Sequence, residues 1–356
     1  MAVITLNREK LRYNYERLNS FFKHKHIEWS VVTKMLCGNE LFLKEVLALE
    51  PTQVCDSRVS NLKTIKKINP DVEAIYIKPT PKRSVASVVK YADISINTEI
   101  NTIKALSEEA QKQGKKHKII IMVEMGELRE GVMREELIRF YAQVFELKNI
   151  EIVGIGTNLS CLYGVLPNTD KLIQLTLYKQ LIEAKFNKKI PYVSGGSSVT
   201  IPLIFTNQLP GGVNHFRVGE TLFLGTNVYN DEPSSLLKQD IFTLKAEIIE
   251  LIEKPRVPEG DFGTNLEGER FTFDQADLGK TSYRAILDLG ILDIDKSSLF
   301  PIDKDIEFFG ASSDMIVVDL KANPNDYMVG DFLEFSLNYM GALRAMNSFY
   351  IEKRVI

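Results

Sequence analysis

The chain has few cysteines, no long apolar run and little net charge, and each of these absences excludes a class of protein. Its three cysteines, Cys37, Cys55 and Cys161, are an odd number without paired spacing. They predict free thiols in a reducing cytoplasm and not a disulfide scaffold. No window approaches about 18 consecutive apolar residues, so no segment is expected to span a membrane.

The charge balance and the N-terminus exclude further classes. The formal net charge of −3 gives no electrostatic reason to expect nucleic acid or an anionic membrane as a partner. The N-terminus lacks a basic region followed by a long apolar stretch, so no secretory signal is expected. At 356 residues the chain can hold one large domain and a smaller one.

The first part of the chain alternates short apolar runs with amphipathic stretches, which predicts β/α units. Roughly eight such units over about two hundred residues indicate a (β/α)8 barrel of the TIM type. A doubly wound sheet would need a glycine-rich dinucleotide turn after its first strand, and residues 34–39 do not form one. The predicted strands are residues 29–33, 53–55, 74–77, 94–96, 118–124, 152–157, 192–194 and 216–218, and the clearest helices are 57–69, 98–113, 134–147 and 169–186.

The pattern changes after about residue 227, where short strands separated by turns predict an all-β domain of about 120 residues. The opening residues 2–6 alternate apolar and polar side chains and are expected to add a strand to it. We therefore expect a barrel over 7–226 and an all-β domain over 227–356 together with 1–6. The predicted strands are residues 240–252, 283–289, 305–309, 315–320, 332–336 and 347–353.

Lys34 closes the first barrel strand and precedes a Cys37-Gly38 turn. Its ammonium is therefore expected to point into a site at the strand end. A lysine in such a site has only a few common roles, and one of them is to form a Schiff base with an aldehyde cofactor. A solvated lysine at a strand end is the alternative.

A second candidate segment is a short strand that runs into paired glycines and hydroxyls. Glycines let the backbone approach an anion closely, while free N–H groups and hydroxyls donate hydrogen bonds to it. The segment is thus a candidate phosphate site, although the same composition is common in ordinary loops. Its residues are Ser194, Gly195, Gly196, Ser197 and Ser198.

Arg217 stands among apolar residues on a predicted strand and is expected to be buried unless its head reaches a partner. A buried ion pair with Glu220 or another carboxylate is the alternative. Four parts of the sequence fall at or just past predicted strand ends: Lys34, Asn158, the segment Ser194–Ser198 and Arg217. Because ligands bind at the carboxyl ends of barrel strands, these residues are expected to share one site.

In that order the segments resemble the alanine racemase family of pyridoxal-phosphate enzymes, and more closely its ornithine racemase branch. The resemblance implies an isomerase that interconverts L- and D-amino acids by removing the α-proton, with ornithine or another basic amino acid as substrate. The matching stretches are residues 2–15, 31–38, 123–132, 154–160, 194–198, 216–225, 310–314 and 338–350.

The resemblance also assigns roles to the barrel residues. It implies that Lys34 forms the Schiff base with pyridoxal 5′-phosphate and acts as a base, and that Arg217 faces the pyridine nitrogen. An acidic residue at the Arg217 position would instead suit aminotransferases and decarboxylases. The segment 194–198 would hold the phosphate, and Asn158 stands where alanine racemases carry a histidine near the ring.

Two further residues are implied to complete the site, each with an alternative. Arg129 resembles the family arginine near the cofactor hydroxyl and the substrate carboxylate; it could also be a surface arginine paired with Glu127 or Glu130. Tyr350 resembles the tyrosine that closes over phosphate and substrate; it could also be a packed aromatic on an end strand.

The second base departs from alanine racemases, which use a tyrosine from the partner subunit. The corresponding position here is Ile291, which cannot carry a proton. Asp293, Ser313 and Asp314 are the candidates to replace it, and Ser313 is also expected to meet the substrate. A one-base mechanism through Lys34 is the other option. Because these residues act in trans in the family, a head-to-tail homodimer is implied.

Other activities on the same fold stay open from sequence. They are an alanine or broad-specificity racemase, a basic amino-acid decarboxylase, and a non-enzymatic pyridoxal-phosphate carrier. Decarboxylases carry a late catalytic cysteine, whereas no cysteine follows Cys161 here, and carriers lack the all-β domain. A metal-assisted aldolase or dehydratase would need late His or Cys ligands, and the four histidines lie in the barrel half, so no metal site is expected.

Overall fold

A computed structural model describes residues 1–264, 268, 270 and 272–356. The chain divides into two compact units. One consists of Arg8–Gln239, and the other joins Met1–Asn7 to Asp240–Ile356. None of the helices in the described part of the chain has the length and apolar character that crossing a membrane requires.

The larger unit is a closed barrel of eight parallel strands, which confirms the predicted (β/α)8 architecture. The first strand of the chain, β1 (Val3–Leu6), belongs to the other unit. The barrel closes because its first strand pairs in parallel with both the second and the eighth. The barrel strands are β2 (Glu28–Val32), β3 (Gln53–Asp56), β4 (Glu73–Tyr76), β5 (Ile94–Asn97), β6 (His117–Met122), β7 (Ile150–Gly156), β8 (Tyr192–Ser197) and β9 (His215–Val218).

Helices follow the strands around the outside, and their apolar faces pack on the barrel. Strands covered on both faces carry continuous apolar runs, as in β6, where Ile119, Ile120 and Ile121 are fully buried. The helices of this unit are α1 (Arg8–His24), α2 (Glu40–Leu47), α3 (Val59–Ile68), α4 (Val85–Tyr91), α5 (Ile100–Lys112), α6 (Leu137–Phe145), α7 (Thr169–Phe186), α8 (Ile201–Phe205) and α9 (Glu220–Leu224).

The interior of the barrel has an apolar part and a polar part. Side chains alternate along a strand, so Ser30 and Val32 of β2 face the same side, as do Gln53 and Cys55 of β3. The apolar interior cluster includes Val32, Cys55, Ile75, Ile96, Ile120 and Met122. The polar part is formed by Ser30, Gln53, Ser194, His215 and Arg217, all of them buried.

The segment after Leu224 stays with the barrel unit as far as Gln239, beyond the predicted boundary at 226. It contains a short hairpin, β10 (Thr226–Asn227) with β11 (Glu232–Pro233). The buried side chain of Asn14 on α1 holds the end of this segment, because it donates to Lys238 O at 2.8 Å and accepts from Lys238 N at 2.8 Å. Sequence periodicity carries no signal for such a contact.

The second unit is a β-domain, as predicted from sequence. Its strands form the order β14-β17-β12-β13-β16-β15, with β1 paired to β12 and to β18. All these pairings are antiparallel except that of β1 with β18. The strands are β12 (Phe242–Pro255), β13 (Thr281–Leu287), β14 (Leu299–Pro301), β15 (Glu307–Ala311), β16 (Ile316–Asp319), β17 (Phe332–Leu337) and β18 (Glu352–Val355).

One element of this unit differs from the expectation. A helix, α10 (Tyr339–Asn347), precedes β18, and the predicted strand at 347–353 forms only from residue 352. Asn338 begins the helix by accepting a hydrogen bond from Gly341 N. Its buried residues Ala342, Ala345 and Met346 recur at helical spacing, which an all-strand interpretation overlooked.

Candidate functional site

Lys34 lies in a tight turn at the carboxyl end of β2. The turn is a short 3-10 helix, Lys34–Leu36, followed by Cys37 and Gly38 with φ values of +51° and +76°. A Cβ atom at Gly38 would come within 2.5 Å of Asn61 Oδ1. The glycine is therefore required for this close packing, and the turn leaves Lys34 half-buried at the strand end.

The residue before Lys34 is fixed by the neighbouring strand. Thr33 is fully buried, its N–H donates to Cys55 O at 2.8 Å, and its hydroxyl donates to Asp56 Oδ2 at 2.8 Å. Asp56 also accepts from Arg58 N and from Asn61 Nδ2. Burial raises the pKa of the Asp56 carboxyl, and these donors oppose the shift. The turn that carries Lys34 is thus held by a buried carboxyl group.

Glu220, the first residue of α9, lies within electrostatic range of Lys34. Burial raises the pKa of the Glu220 carboxyl, the charge of Asp231 raises it further, and Lys34 opposes both. Because α9 follows β9 directly, this places Lys34 near the strand end that carries Arg217.

Arg217 is buried and contacts only neutral groups among the described residues. Its Nη1 donates to Ser194 Oγ, and its Nη2 donates to Thr157 O at 2.8 Å. The alternative, an ion pair with Glu220 or another carboxylate, is absent from the described part of the chain. Burial lowers the pKa of the guanidinium, which is still a donor only. The residue after Thr157 is the half-buried Asn158, so these candidates are neighbours.

The carboxyl-terminal part of β8 requires both of its glycines. Gly196 has a φ of +132°, and a Cβ there would meet Thr200 Oγ1 at 2.4 Å. A Cβ at Gly195 would meet Val213 Cγ1 at 2.3 Å. Neighbouring side chains already fill the space that a Cβ would need at either position, so internal packing requires glycine at both.

The three serines of the segment point to different places. Ser194 lies inside the barrel with Arg217, whereas Ser198 Oγ accepts from Thr221 N at 3.2 Å and so holds the start of α9. Ser197 is half-buried at the strand end. An anion at this segment would therefore be held by Ser197 and backbone N–H groups, with Ser198 fixing the adjacent helix.

Arg129 lies in the loop after β6 and is paired with Glu130. Its Nε and Nη2 donate to the two carboxylate oxygens of Glu130, and its Nη1 donates to Cys161 Sγ. The carboxylate of Glu130 is the main reason that the pKa of Arg129 is raised. The guanidinium is thus held in a fork geometry suited to a carboxylate, and in this structure the carboxylate is the neighbouring residue's.

Glu127 anchors the loop after β7 and was not predicted to do so. Burial raises the pKa of its carboxyl, but backbone N–H donors lower it more strongly, and the resulting pKa is about 2. The carboxylate is thereby committed to this loop. The donors are the backbone N–H groups of Ser160, Cys161, Leu162, Tyr163 and Val165.

The candidates in the second unit lie together. Ser348 Oγ donates to Asp293 Oδ1 at 2.5 Å and accepts from Tyr350 N at 3.0 Å. Ser313 Oγ donates to Asp314 Oδ1 at 2.8 Å. Leu292 N donates to Ser313 O at 2.8 Å, which joins the two segments. Asp293, Ser313, Asp314 and Tyr350 therefore form one cluster, and Tyr350 is exposed and not packed in a core.

Sequence reasoning missed the buried polar residues beneath Arg217. His215 contacts Ser194 Oγ at 2.8 Å through Nδ1, and its Nε2 lies 3.0 Å from Gln53 Oε1. The sequence offered one indication of these buried polar residues. A glutamine and a histidine, Gln53 and His215, each stand as the first residue of a short barrel strand.

Comparison with known proteins identifies the family. The family model "Alanine racemase, N-terminal domain" matches residues 6–227. An ornithine racemase of Acetoanaerobium sticklandii is 38% identical over 354 residues, covering 99% of this chain and 99% of that protein. A lysine racemase of Thermotoga maritima is 31% identical over 350 residues, covering 98% and 97%.

Solved structures agree on the fold. The crystal structure of alanine racemase from Bartonella henselae with covalently bound pyridoxal phosphate superposes with a TM-score of 0.74. The match covers 100% of this chain and 99% of that one at 18% identity. The expected isomerase class is confirmed by the named relatives. The chain therefore belongs to the alanine racemase family of amino-acid racemases.

Proposed function

We propose that the protein is a pyridoxal-phosphate-dependent racemase of ornithine or another basic amino acid. The observation that carries the chemistry is the buried Arg217, which has neutral partners among the described residues and lies at a strand end beside the glycine segment. The substrate class is supported by the names of the two full-length relatives, an ornithine and a lysine racemase.

The residues at the barrel strand ends fit the cofactor. Gly195 and Gly196 carry no side chain, so their backbone N–H groups are the proposed donors to a phosphate, and the half-buried Ser197 would add a hydroxyl. Arg217 uses only some of its N–H donors on Ser194 and Thr157, which leaves donors for an acceptor such as a ring nitrogen. Lys34 would supply the amine that binds the cofactor aldehyde. Asn158, which follows the Arg217 partner Thr157, would offer an amide for a hydrogen bond to the cofactor. When bound, pyridoxal phosphate supplies the electron sink for negative charge at the α-carbon.

The roles of the protein groups follow from their chemistry. Lys34 is proposed to remove the α-proton on its own face of the substrate, because a lysine amine can act as a general base. Arg217 only donates, so the acceptor that it faces stays unprotonated. An unprotonated acceptor would make the electron sink weaker, and a weaker sink would disfavour transamination. A racemase needs this side reaction to be suppressed.

The opposite proton donor is proposed from the second unit. Asp293 and Asp314 are the titratable members of its cluster, and Ser313 bonds to Asp314. Ser348 holds Asp293 and the Tyr350 backbone in one place, so a proton donor and a covering aromatic side chain would be presented together.

Substrate recognition is divided between charges of opposite sign. Arg129 is proposed to bind the α-carboxylate, which would replace Glu130 in its fork. Five acidic residues are candidates to hold the side-chain ammonium of a basic amino acid: Glu124, Glu127, Glu220, Asp293 and Asp314. Glu127 is committed to backbone N–H donors, and Glu124 accepts from Gly126 N. Glu220, Asp293 and Asp314 are therefore the proposed partners of that ammonium.

A head-to-tail homodimer is proposed, with each site completed by the partner copy. Large exposed apolar side chains surround the second-unit cluster, and Phe349 is 100% exposed. Others lie in the loops after β6 and β7, beside the barrel site. Clustered exposed apolar side chains are typical of protein interfaces. The two sets are Ile291, Leu292, Phe349 and Tyr350, and Leu128, Met133, Leu162, Tyr163 and Leu166.

The direct test is incubation of the purified protein with L-ornithine, L-lysine, L-alanine and L-serine, followed by chiral chromatography. We expect D-ornithine or D-lysine to form fastest, and Lys34→Ala to lower the rate by at least about 1000-fold. Release of carbon dioxide would instead identify a decarboxylase. Cofactor binding without turnover of any substrate would identify a carrier.

A further inference from the structure

We propose that Ser194, His215 and Gln53 form a one-way hydrogen-bond relay that positions Arg217 and links it to Glu73 at the opposite end of the barrel. These three are positioning residues, since none of them is proposed to touch the substrate. The inference rests on the proposed function only in that Arg217 is taken to face the cofactor.

The relay is continuous in the structure. Ser194 Oγ accepts from Arg217 Nη1 and lies 2.8 Å from His215 Nδ1. His215 Nε2 lies 3.0 Å from Gln53 Oε1, and Gln53 Nε2 lies 2.6 Å from Glu73 Oε2. Gln53, His215 and Glu73 each begin their strand, so the relay runs from the third residue of β9 down to the amino ends of β3, β9 and β4.

The middle of the relay is shielded from water. Ser194 and His215 are 0% exposed and Gln53 is 1% exposed. Each of these polar groups therefore needs a protein partner, because an unpaired buried donor or acceptor is destabilising. Ser30 supports the middle of the relay, with its Oγ 2.7 Å from Gln53 Oε1 and 3.0 Å from His215 Nε2.

The direction of every bond is fixed by the two ends. A guanidinium only donates, so Ser194 Oγ accepts from Arg217 and its single hydrogen is available for His215 Nδ1. An ionised carboxylate only accepts, so the Gln53 amide turns its NH2 to Glu73 and its oxygen to His215. His215 must then carry its proton on Nε2. A neutral imidazole with Nδ1 as acceptor satisfies both neighbours.

The neutral state of His215 agrees with its surroundings. Burial, and to a smaller degree the positive charge of Arg217, lowers the pKa of His215 to about 3. The imidazole therefore transmits polarisation without gaining a second proton. Bonds that all point the same way polarise one another, so the positive end at Arg217 and the negative end at Glu73 reinforce the chain between them.

This arrangement explains how Arg217 is held with neutral partners. A carboxylate in direct contact would occupy the guanidinium and neutralise its field at the cofactor ring. The relay instead places the negative group several bonds away, at Glu73, where Lys118 Nζ also contacts the carboxylate at 3.3 Å. The relay thus orients the guanidinium of Arg217, and the positive charge of that group still acts on the strand-end site.

The first test reads the relay without using activity. In apoprotein labelled with 15N in histidine, NMR should show His215 as the neutral form protonated on Nε2 between pH 6 and 9. Ser194→Ala removes the donor to Nδ1 and should shift the Nδ1 resonance, whereas Ser194→Thr keeps a hydroxyl and should restore it. A proton on Nδ1 of wild-type His215, or a doubly protonated ring, would overturn the proposal.

The second test uses a matched control inside the same barrel. His117 is also buried, also begins a strand and also contacts a serine, with its Nε2 2.8 Å from Ser95 Oγ, but it is outside the relay. His215→Leu and Ser194→Ala should raise the dissociation constant of pyridoxal phosphate by about tenfold or more, and His117→Leu by much less. If His215→Leu and His117→Leu raised the dissociation constant of pyridoxal phosphate equally, His215 would have only a packing role.

The two tests separate this inference from the proposed function. If the wild-type protein did not bind pyridoxal phosphate at all, the proposed function would fail, and the histidine NMR spectra would still decide whether the relay exists. If binding and racemisation were found but His215 carried its proton on Nδ1, the relay alone would fail.

Discussion

The hydroxyl of Thr33, the residue before Lys34, lies 2.8 Å from Oδ2 of the buried Asp56. The contact joins the end of β2 to the end of β3 and fixes where the lysine turn begins. Because Thr33 and Asp56 are both fully buried, the contact is shielded from water and from competing partners.

Thr33→Val removes this hydroxyl while keeping the shape of the side chain. We expect the variant to stay folded, to lose about 1–2 kcal/mol of stability, and to lower the racemisation rate about tenfold because Lys34 is less well placed. Borohydride trapping of pyridoxal phosphate on Lys34 should slow in parallel. Thr176→Val, which removes a buried hydroxyl from α7, is the control and should affect stability only.

Gly196→Ala tests the anion site. With a φ of +132° and Thr200 Oγ1 at 2.4 Å from the added Cβ, the substitution must distort the segment. We expect the affinity for pyridoxal phosphate to fall at least about tenfold. Gly211→Ala adds a methyl group that meets nothing within 4 Å, so it should leave that affinity unchanged. Equal affinities for both variants would place the phosphate elsewhere.

Glu127→Gln tests the anchor of the loop at 160–165. The amide keeps the size of the side chain but loses the charge that several N–H donors share, so hydrogen exchange of these amides should accelerate at least about tenfold. Glu136→Gln, which removes the exposed ion pair with Arg139, should leave the exchange unchanged.

The same anchor has a predicted pH dependence. The pKa of Glu127 is lowered to about 2, so its contribution is fully present above the usual carboxyl range and is lost as pH falls from about 4.5 through about 2. Loop protection in the wild type, corrected for intrinsic exchange, should therefore be constant from pH 8 to 5. Loss of protection beginning near pH 6 would contradict the assignment.

Mixing two inactive variants tests whether the site is shared between copies. Lys34→Ala removes the barrel lysine, and the double variant Asp293→Ala/Asp314→Ala removes the second-unit carboxylates. After subunit exchange we expect recovery of about a quarter of wild-type activity, because half of the dimers are hybrids with one intact site. If both sets of residues acted within one chain, no activity would return.

The barrel, and the placement of the candidate site residues at strand ends, could be predicted from sequence because these residues follow short apolar runs. Lys34 and Arg217 are conspicuous as charges at strand ends, and Gly195-Gly196 as a break in the pattern. The relay was not readable, since Ser194, His215, Gln53 and Glu73 come from four strands that only barrel closure brings together. The anchoring role of Glu127 was likewise not predicted, because its partners are backbone N–H groups, which no sequence pattern indicates; the sequence suggested only a pair with Arg129 or a contact with a substrate ammonium.

The most direct measurement of the central claim is α-proton exchange in D2O, followed by NMR, with L-ornithine and L-alanine as parallel substrates. We predict exchange accompanied by inversion on L-ornithine, much slower exchange on L-alanine, and loss of both in Lys34→Ala. Exchange of the ornithine α-proton that persists at the wild-type rate in Lys34→Ala would contradict the account.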